Sequence, residues 1–194
     1  MQPEDGHCIE ALLSRQSVPA LQLREPGPSP HQIGVAIDAA LRAPDHGSLK
    51  PLRFVLIQGA ARLRLSELFV QCLQQREPAT PPAKLDKARN MPLSAPLVIA
   101  IAAQLRQDHK VPELEQLLAS GAGVMNLLNA FHVQGYGAIW LTGGNAYDPR
   151  IGAALGFSQR ERGLGFVYVG SKPSQDSPSA RRPERAVFVR EWSG

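Results

Sequence analysis

The sequence predicts an α+β fold in three layers, a central sheet with helices on both of its faces. Three observations predict it. Segments of helical period separate most of the segments of strand character, and no run of tight hairpins intervenes. Pro96-Leu97-Val98-Ile99-Ala100-Ile101-Ala102 is a continuous apolar run, the pattern of an interior strand covered on both sides. A chain of 194 residues, 43% hydrophobic and 20% charged, suits one globular domain able to bury about 70% of the surface its unfolded chain exposes.

Taken in order, Ile9 to Leu13 reads as a short helix that runs into the polar turn Ser14-Arg15-Gln16-Ser17. Ser29-Pro30 supplies an N-cap and a first-turn proline for a helix reaching about Arg42. Ile33, Ile37 and Leu41 recur every four residues there, with Ala36 and Ala40 beside them, and Ala43-Pro44-Asp45-His46-Gly47 ends it. Phe54 to Ile57 is a brief β-branched and apolar run, hence a strand. Ala60 to Gln75 is an amphipathic helix carrying Leu65, Leu68, Phe69, Cys72 and Leu73 on one side. The prolines from Pro78 to Pro82 mark a surface connection before the strand at Pro96 to Ala102.

Pro112 to about Gln134 is the longest helical pattern, opened by Glu113 and Glu115. Leu114, Leu117, Leu118, Gly121, Val124, Met125 and Leu128 cover so much of its circumference that burial from several sides is expected. Each glycine of Ser120-Gly121-Ala122-Gly123 costs about 1 kcal/mol relative to alanine in a helix, so a close approach of another backbone, in this chain or another subunit, is expected in return. Ala138 to Leu141 reads as a strand after Gly135-Tyr136-Gly137, and Asp148-Pro149 opens a short helix ending at Gly156. Leu164 to Val169 is a strand closed by Gly170, and a last strand is expected over Val187 to Glu191.

Composition removes several classes of function. Lys and Arg number 21 against 17 Asp and Glu, a net charge of +4 that suits anionic ligands. The basic residues are scattered without a recognition motif, so no nucleic-acid partner is expected. Cys8 and Cys72 are too few for a disulfide framework or a cysteine metal site, and no metal is expected. There is no GxSxG, GxxxxGK[ST], HExxH or paired CxxC, which takes away the usual support for hydrolase, nucleotidase and zinc-enzyme readings. The first thirty residues carry Glu4, Asp5, Glu10, Arg15 and Arg24 and no apolar leader core, and no apolar run is long enough to cross a bilayer. A cytoplasmic location without a membrane partner is expected.

Four polar constellations remain. Arg15-Gln16-Ser17 joins a guanidinium to a hydroxyl, groups that suit a phosphate or a ribityl chain, although a solvated turn carries the same residues. The block from Leu41 to Pro51 concentrates Arg42, Asp45, His46, Ser48 and Lys50 in one structured turn between a core helix and a strand. In Gln134-Gly135-Tyr136-Gly137-Ala138-Ile139-Trp140-Leu141-Thr142-Gly143-Gly144, glycines let a flat ligand lie against backbone; read alone, Trp140 suits the core better than a cofactor wall. It is not a dinucleotide fingerprint, because the strand follows the glycines. The tail Ser179-Ala180-Arg181-Arg182-Pro183-Glu184-Arg185 is a cationic run that suits an anionic cofactor, a partner subunit or water.

These pieces, in this order, resemble the flavin-dependent nitroreductase family, in particular its compact bacterial NAD(P)H nitroreductases. The matching residues are Arg15-Gln16-Ser17, Arg42-Ala43-Pro44-Asp45-His46 before Lys50-Pro51, and Asp86-Lys87-Ala88-Arg89-Asn90 before Ala95-Pro96-Leu97-Val98-Ile99. To these are added His109-Lys110-Val111-Pro112, Gln134-Gly135-Tyr136-Gly137-Ala138-Ile139-Trp140 and Gly165-Phe166-Val167-Tyr168-Val169-Gly170. The likeness spans about residues 8 to 171, so the chain reads as one FMN-binding domain over 1–194 with a C-terminal extension over 172–194.

The resemblance implies a mixed central sheet flanked by helices, an interlocked homodimer built across the long helix, and an FMN at each end of the shared interface. It assigns Arg15, Gln16 and Ser17 to the FMN phosphate and ribityl chain, and Arg42 and His46, with Ser48 and Lys50 on the same loop, to the flavin from the other subunit. Trp140, Leu141 and Thr142 become the remaining cofactor wall, and Ala130, Phe131, His132, Val133, Gln134 and Gly135 the stretch associated with NAD(P)H. The implied reaction is ping-pong: hydride passes from NADH or NADPH to the flavin and on to an electron-poor acceptor of nitroaromatic or quinone type, with no catalytic side chain required. A non-catalytic flavin or nucleotide binder, or another flavin reaction on the same fold, are the alternatives. The chain departs from the family pattern at Gln16, usually basic; at Lys50 and Leu52, usually Gln and Trp; and at Leu141, an Arg in the close subgroup.

Overall fold

The computed structural model describes residues 5–173 and 183–194. Ten elements follow one another: helix α1 (Asp5–Ser14), helix α2 (Pro30–Ala40), strand β1 (Leu52–Gln58), helix α3 (Ala61–Arg76), helix α4 (Pro82–Asn90) and strand β2 (Leu97–Gln104). Helix α5 (Glu113–Val133), strand β3 (Tyr136–Leu141), helix α6 (Pro149–Ala154) and strand β4 (Glu161–Ser171) complete them. The start of α2 is a capping box: Gln32 N donates to Ser29 Oγ at 3.3 Å and Ser29 N to Gln32 Oε1 at 2.9 Å, with Pro30 in the first turn.

The α+β expectation holds, and β2 lies inside the sheet, whose order is β1-β2-β4-β3. Its outward alternation explains the unbroken apolar run. Leu97, Ile99 and Ile101 face α2 and α5 with Ile33, Ala36, Val124, Leu127 and Phe131, while Val98 and Ala100 face α3 and α6 with Leu65, Phe69 and Ile151. Tyr168 is buried in the second layer at 1% exposure, and burial pushes its phenol far above the ordinary tyrosine value.

Four expectations need correction or completion. Among the described residues every pairing is antiparallel, β1 with β2, β2 with β4 and β3 with β4, so the sheet is not mixed. The last strand expected at Val187 to Glu191 does not form: Arg185–Val187 is one 3-10 turn, and Val187, Phe188 and Trp192 are 73%, 73% and 92% exposed. That β-prone run makes no sheet pairing among the described residues, although β1 and β3 each have one strand neighbour in the sheet. The Pro78 to Pro82 connection leads directly into α4, started by Pro82 at its first position. This helix escapes periodicity because only Leu85 and Ala88 are even half-buried.

The fourth concerns α5. Gln116, Ser120, Gly123, Val124, Leu127, Leu128 and Phe131 are buried within the chain, but Leu114, Leu118, Met125 and Val133 stay 66%, 63%, 42% and 66% exposed. One chain therefore covers one side of the helix. The close approach is at Gly123, where a Cβ would fall against Leu52 and lie 2.9 Å from the Ala40 carbonyl oxygen; a Cβ at Gly121 would meet nothing within 4 Å.

Candidate functional site

The end of α1, the end of α5 and the residue after β4 meet at one corner. Lys172 Nζ lies 3.2 Å from His132 Nδ1, and His132 Nε2 lies 3.1 Å from Ser14 Oγ. An ammonium only donates, so Nδ1 accepts and Nε2–H donates to Ser14, whose hydroxyl in turn donates to the Ala11 carbonyl at 3.1 Å. Burial first, then the positive charges of Lys172 and Arg15, hold His132 below its ordinary value, consistent with that neutral tautomer. The result is a corner where an imidazole bonded to Lys172 also feels the positive charge of Arg15, an arrangement that favours an anion. Val18 N donates to Ala138 O at 3.1 Å and packs against Gly137, where a Cβ would collide with Val18 and Leu23. This docks Arg15, Gln16 and Ser17 beside the start of β3.

The loop between α2 and β1 forms a second corner. Gly47, Ser48 and Lys50 have φ of 74°, 51° and 51°, the last two being left-handed positions that non-glycine residues seldom take. Asp45 holds the turn: its carboxylate accepts from Lys50 N at 2.7 Å, its carbonyl from Ser48 N at 3.1 Å, and Lys50 Nζ stands 4.0 Å away. His46 Nδ1 lies 2.6 Å from Glu115 Oε2 in the first turn of α5. Arg42 is exposed just beyond α2.

The two corners sit at opposite ends of the same helix. Glu115 and His132 stand about 25 Å apart along α5 at about 1.5 Å per residue, longer than a flavin mononucleotide. Within one chain the Arg15 set and the His46 set therefore cannot touch one such ligand.

Trp140 has a core role: its Nε1 donates to Leu164 O at 3.0 Å, and its ring packs against the main core. Leu141 is half-buried and Thr142 exposed, and both line a cleft of about 530 Å³ between α3, α4 and the turn after β3. Arg76 props that turn from below. Its Nη2 donates to Asn145 Oδ1 at 3.1 Å and its Nη1 to Asp148 Oδ2 at 2.9 Å, with Gly144 so close that a Cβ would lie 2.7 Å from the guanidinium. Asp148 caps α6 and is buried; Arg150, bonded through Nε and Nη2 at 2.9 and 2.6 Å, is the main reason its carboxyl sits below the usual range.

In the stretch from Ala130 to Gly135, Phe131 is fully buried and Gln134 Nε2 donates to Gln32 O at 3.2 Å, while Ala130 and His132 are half-buried. Val133 and Gly135 are exposed, Gly135 with φ of 90°. Arg181 and Arg182 lie outside the described residues, and Arg185 is exposed. Sequence reasoning missed Ser14, Lys172, Arg76 and the α4 lysines as site residues. Lys172 carried one signal, its place two residues after the Gly170 that closes the strand expected at Leu164 to Val169.

The three-layer α+β chain thus carries one polar corner beside an edge strand and a second a helix length away. Comparison with known proteins specifies it: the nitroreductase family model matches residues 13–171, and the chain belongs to that family. It is 35% identical to the Escherichia coli K12 protein named "Putative NAD(P)H nitroreductase YdjA" over 94% of this chain and 97% of that one. The fold matches a nitroreductase-like protein of Bacillus cereus at a TM-score of 0.81 with 20% identity, over 96% of each chain. It also matches a Desulfovibrio desulfuricans nitroreductase homologue in complex with FMN, at 0.73 and 20%, over 100% of this chain and 99% of that one. Kinship with oxidoreductases thus follows from family and relatives together.

Proposed function

We propose that the chain is an FMN-dependent NAD(P)H oxidoreductase that works as a homodimer and reduces an electron-poor small molecule of nitroaromatic or quinone type. The observation that carries the reading is the separation of the two corners along α5. A two-fold pair crossing on α5 sets the His46 corner of one copy beside the Arg15 corner of its partner, and the exposed ridge of Leu114, Leu118, Met125 and Val133 is the surface such a pairing covers. Exposed Val187, Phe188 and Trp192 fit an arm reaching over the partner.

The residues suit the group. Arg15, Lys172 and the Ser17 hydroxyl are donors for a phosphate, and the imidazole of His132 beside them is held below its ordinary value by burial first and then by these two cations. FMN, when bound, supplies the hydride-accepting and hydride-donating ring. The protein's work is positional: Arg15 and Ser17 anchor the phosphate end, the backbone from Trp140 to Thr142 flanks the ring, and Arg76 stiffens the turn beyond it through Asn145. Arg42, His46 and Lys50 reach the ring from the partner, leaving one face open to nicotinamide and acceptor in turn.

The test is an absorbance spectrum of freshly purified protein with the released chromophore identified by mass, followed by NADH and NADPH oxidation with menadione or a nitrofuran. Flavin bands, the mass of FMN and stoichiometric nicotinamide consumption are expected. A colourless protein that FMN does not reconstitute would overturn the reading, and bound FMN reduced by neither nicotinamide would leave only a flavin binder.

A further inference from the structure

Building on the reading that the flavin ring lies beside Leu141 and Thr142, we propose that the adjoining cleft seats the acceptor, and that this acceptor is an aromatic acid whose anionic group is held by Lys87. The cleft, about 530 Å³, falls within the range of about 300–1,000 Å³ usual for small-molecule sites. Its floor is apolar and partly aromatic, with Phe69, Leu73, Met91 and Phe166, and Phe69 meets Phe166 edge-on at 5.0 Å between ring centres. Its rim is cationic, with Arg76, Lys84 and Lys87, and no Asp or Glu lines it among the described residues.

The three cations are not equivalent. Arg76 is committed to Asp148 and Asn145, and Lys84 to Glu77. Lys87 forms no hydrogen bond or ion pair with the described residues, and it projects from α4 at the mouth. The need for a cation at the cofactor phosphate is met elsewhere, by Arg15 and Lys172 at the other end of β3, about 17 Å away along the strand. A flat ring fits the floor, and a carboxylate or similarly placed anionic oxygen answers Lys87. This charge at the entrance selects acidic over neutral aromatics and fixes which end of the molecule points away from the Leu141 and Thr142 wall.

Calorimetric titration of the purified protein at low salt with benzoate, and with neutral benzamide as its control, tests the proposal. Tighter binding of benzoate is expected, with the preference shrinking as salt rises. Because Lys87 is exposed, Lys87→Gln is expected to weaken benzoate about three- to fivefold relative to benzamide, with an unchanged thermal melt. The double change Lys84→Gln and Lys87→Gln is expected to weaken it further, and in flavin-loaded protein benzoate is expected to shift the visible bands. Equal affinity for the two ligands, or a ratio unmoved by Lys87→Gln, overturns the proposal. So does a loss of flavin from Lys87→Gln at an unchanged ratio, which would give the cleft to the cofactor. The titration reads binding with or without flavin, so a colourless protein that still prefers benzoate would count against the flavin reading and for the cleft.

Discussion

Alanine at Gly123 and at Gly121, two positions on one helix, is expected to change stability in opposite directions. Both changes gain about 1 kcal/mol of helix propensity. At Gly123 the new Cβ meets Leu52, whose side-chain end can swing, and the Ala40 carbonyl oxygen at 2.9 Å, which is backbone and cannot. Overpacking of that kind costs about 2 kcal/mol, leaving Gly123→Ala about 1 kcal/mol less stable than the parent. At Gly121 nothing within the chain lies within 4 Å, so the propensity gain stands and Gly121→Ala is about 1 kcal/mol more stable. The two variants should therefore differ by about 2 kcal/mol, or about 4–8 °C in Tm for a chain of this size. Urea denaturation of both at one protein concentration measures it, because assembly makes stability concentration-dependent. A Gly123→Ala protein as stable as Gly121→Ala would refute the packing argument. If Gly121→Ala alone lost its oligomeric state while keeping its fold, the close approach at that position would be to another copy.

Three further outcomes follow from the site. Arg15→Ala and Lys172→Ala are each expected to lower FMN retained through purification, and unchanged flavin-to-protein ratios in both would remove the phosphate corner. His132 is held below its ordinary value of 6.5, so as pH falls below about 6.5 the unfolded chain takes up the proton first and stability declines until the folded-state value is reached. Denaturation between pH 7.5 and 5 should show that slope in the parent and a weaker one in His132→Gln; identical slopes would dispose of the assignment. Leu118→Glu places a charge in the middle of the exposed α5 ridge and is expected to yield monomers by light scattering with reduced flavin content, whereas an intact dimer would move the interface elsewhere.

Much of this protein was readable from local pattern. The Ile33, Ile37 and Leu41 spacing, the unbroken run at β2 and the glycine-closed strand at β4 declare themselves because helix and strand periods are set by neighbours along the chain. So does the family resemblance, which rests on short residue combinations in order. Long-range facts were not in the pattern. Helix α4 carries no apolar stripe, since packing against α3 asks little of it beyond Leu85 and Ala88. The run from Val187 to Glu191 has strand character but pairs with no strand among the described residues, because pairing with an edge depends on where the chain end is carried and not on its local pattern.

The same division holds at the site. Arg15, His46 and Thr142 are legible as polar residues in structured turns. That Lys172 joins Arg15 across His132, that Gly123 rather than Gly121 receives a neighbouring backbone, and that the His46 loop lies a helix length from Arg15 depend on how distant segments stack. Periodicity records which residues want cover and which carry charge. Packing in three dimensions chooses the residues that provide the cover and the charges that meet, because those contacts join residues from 40 to 118 positions apart, and no local spacing encodes such a distance.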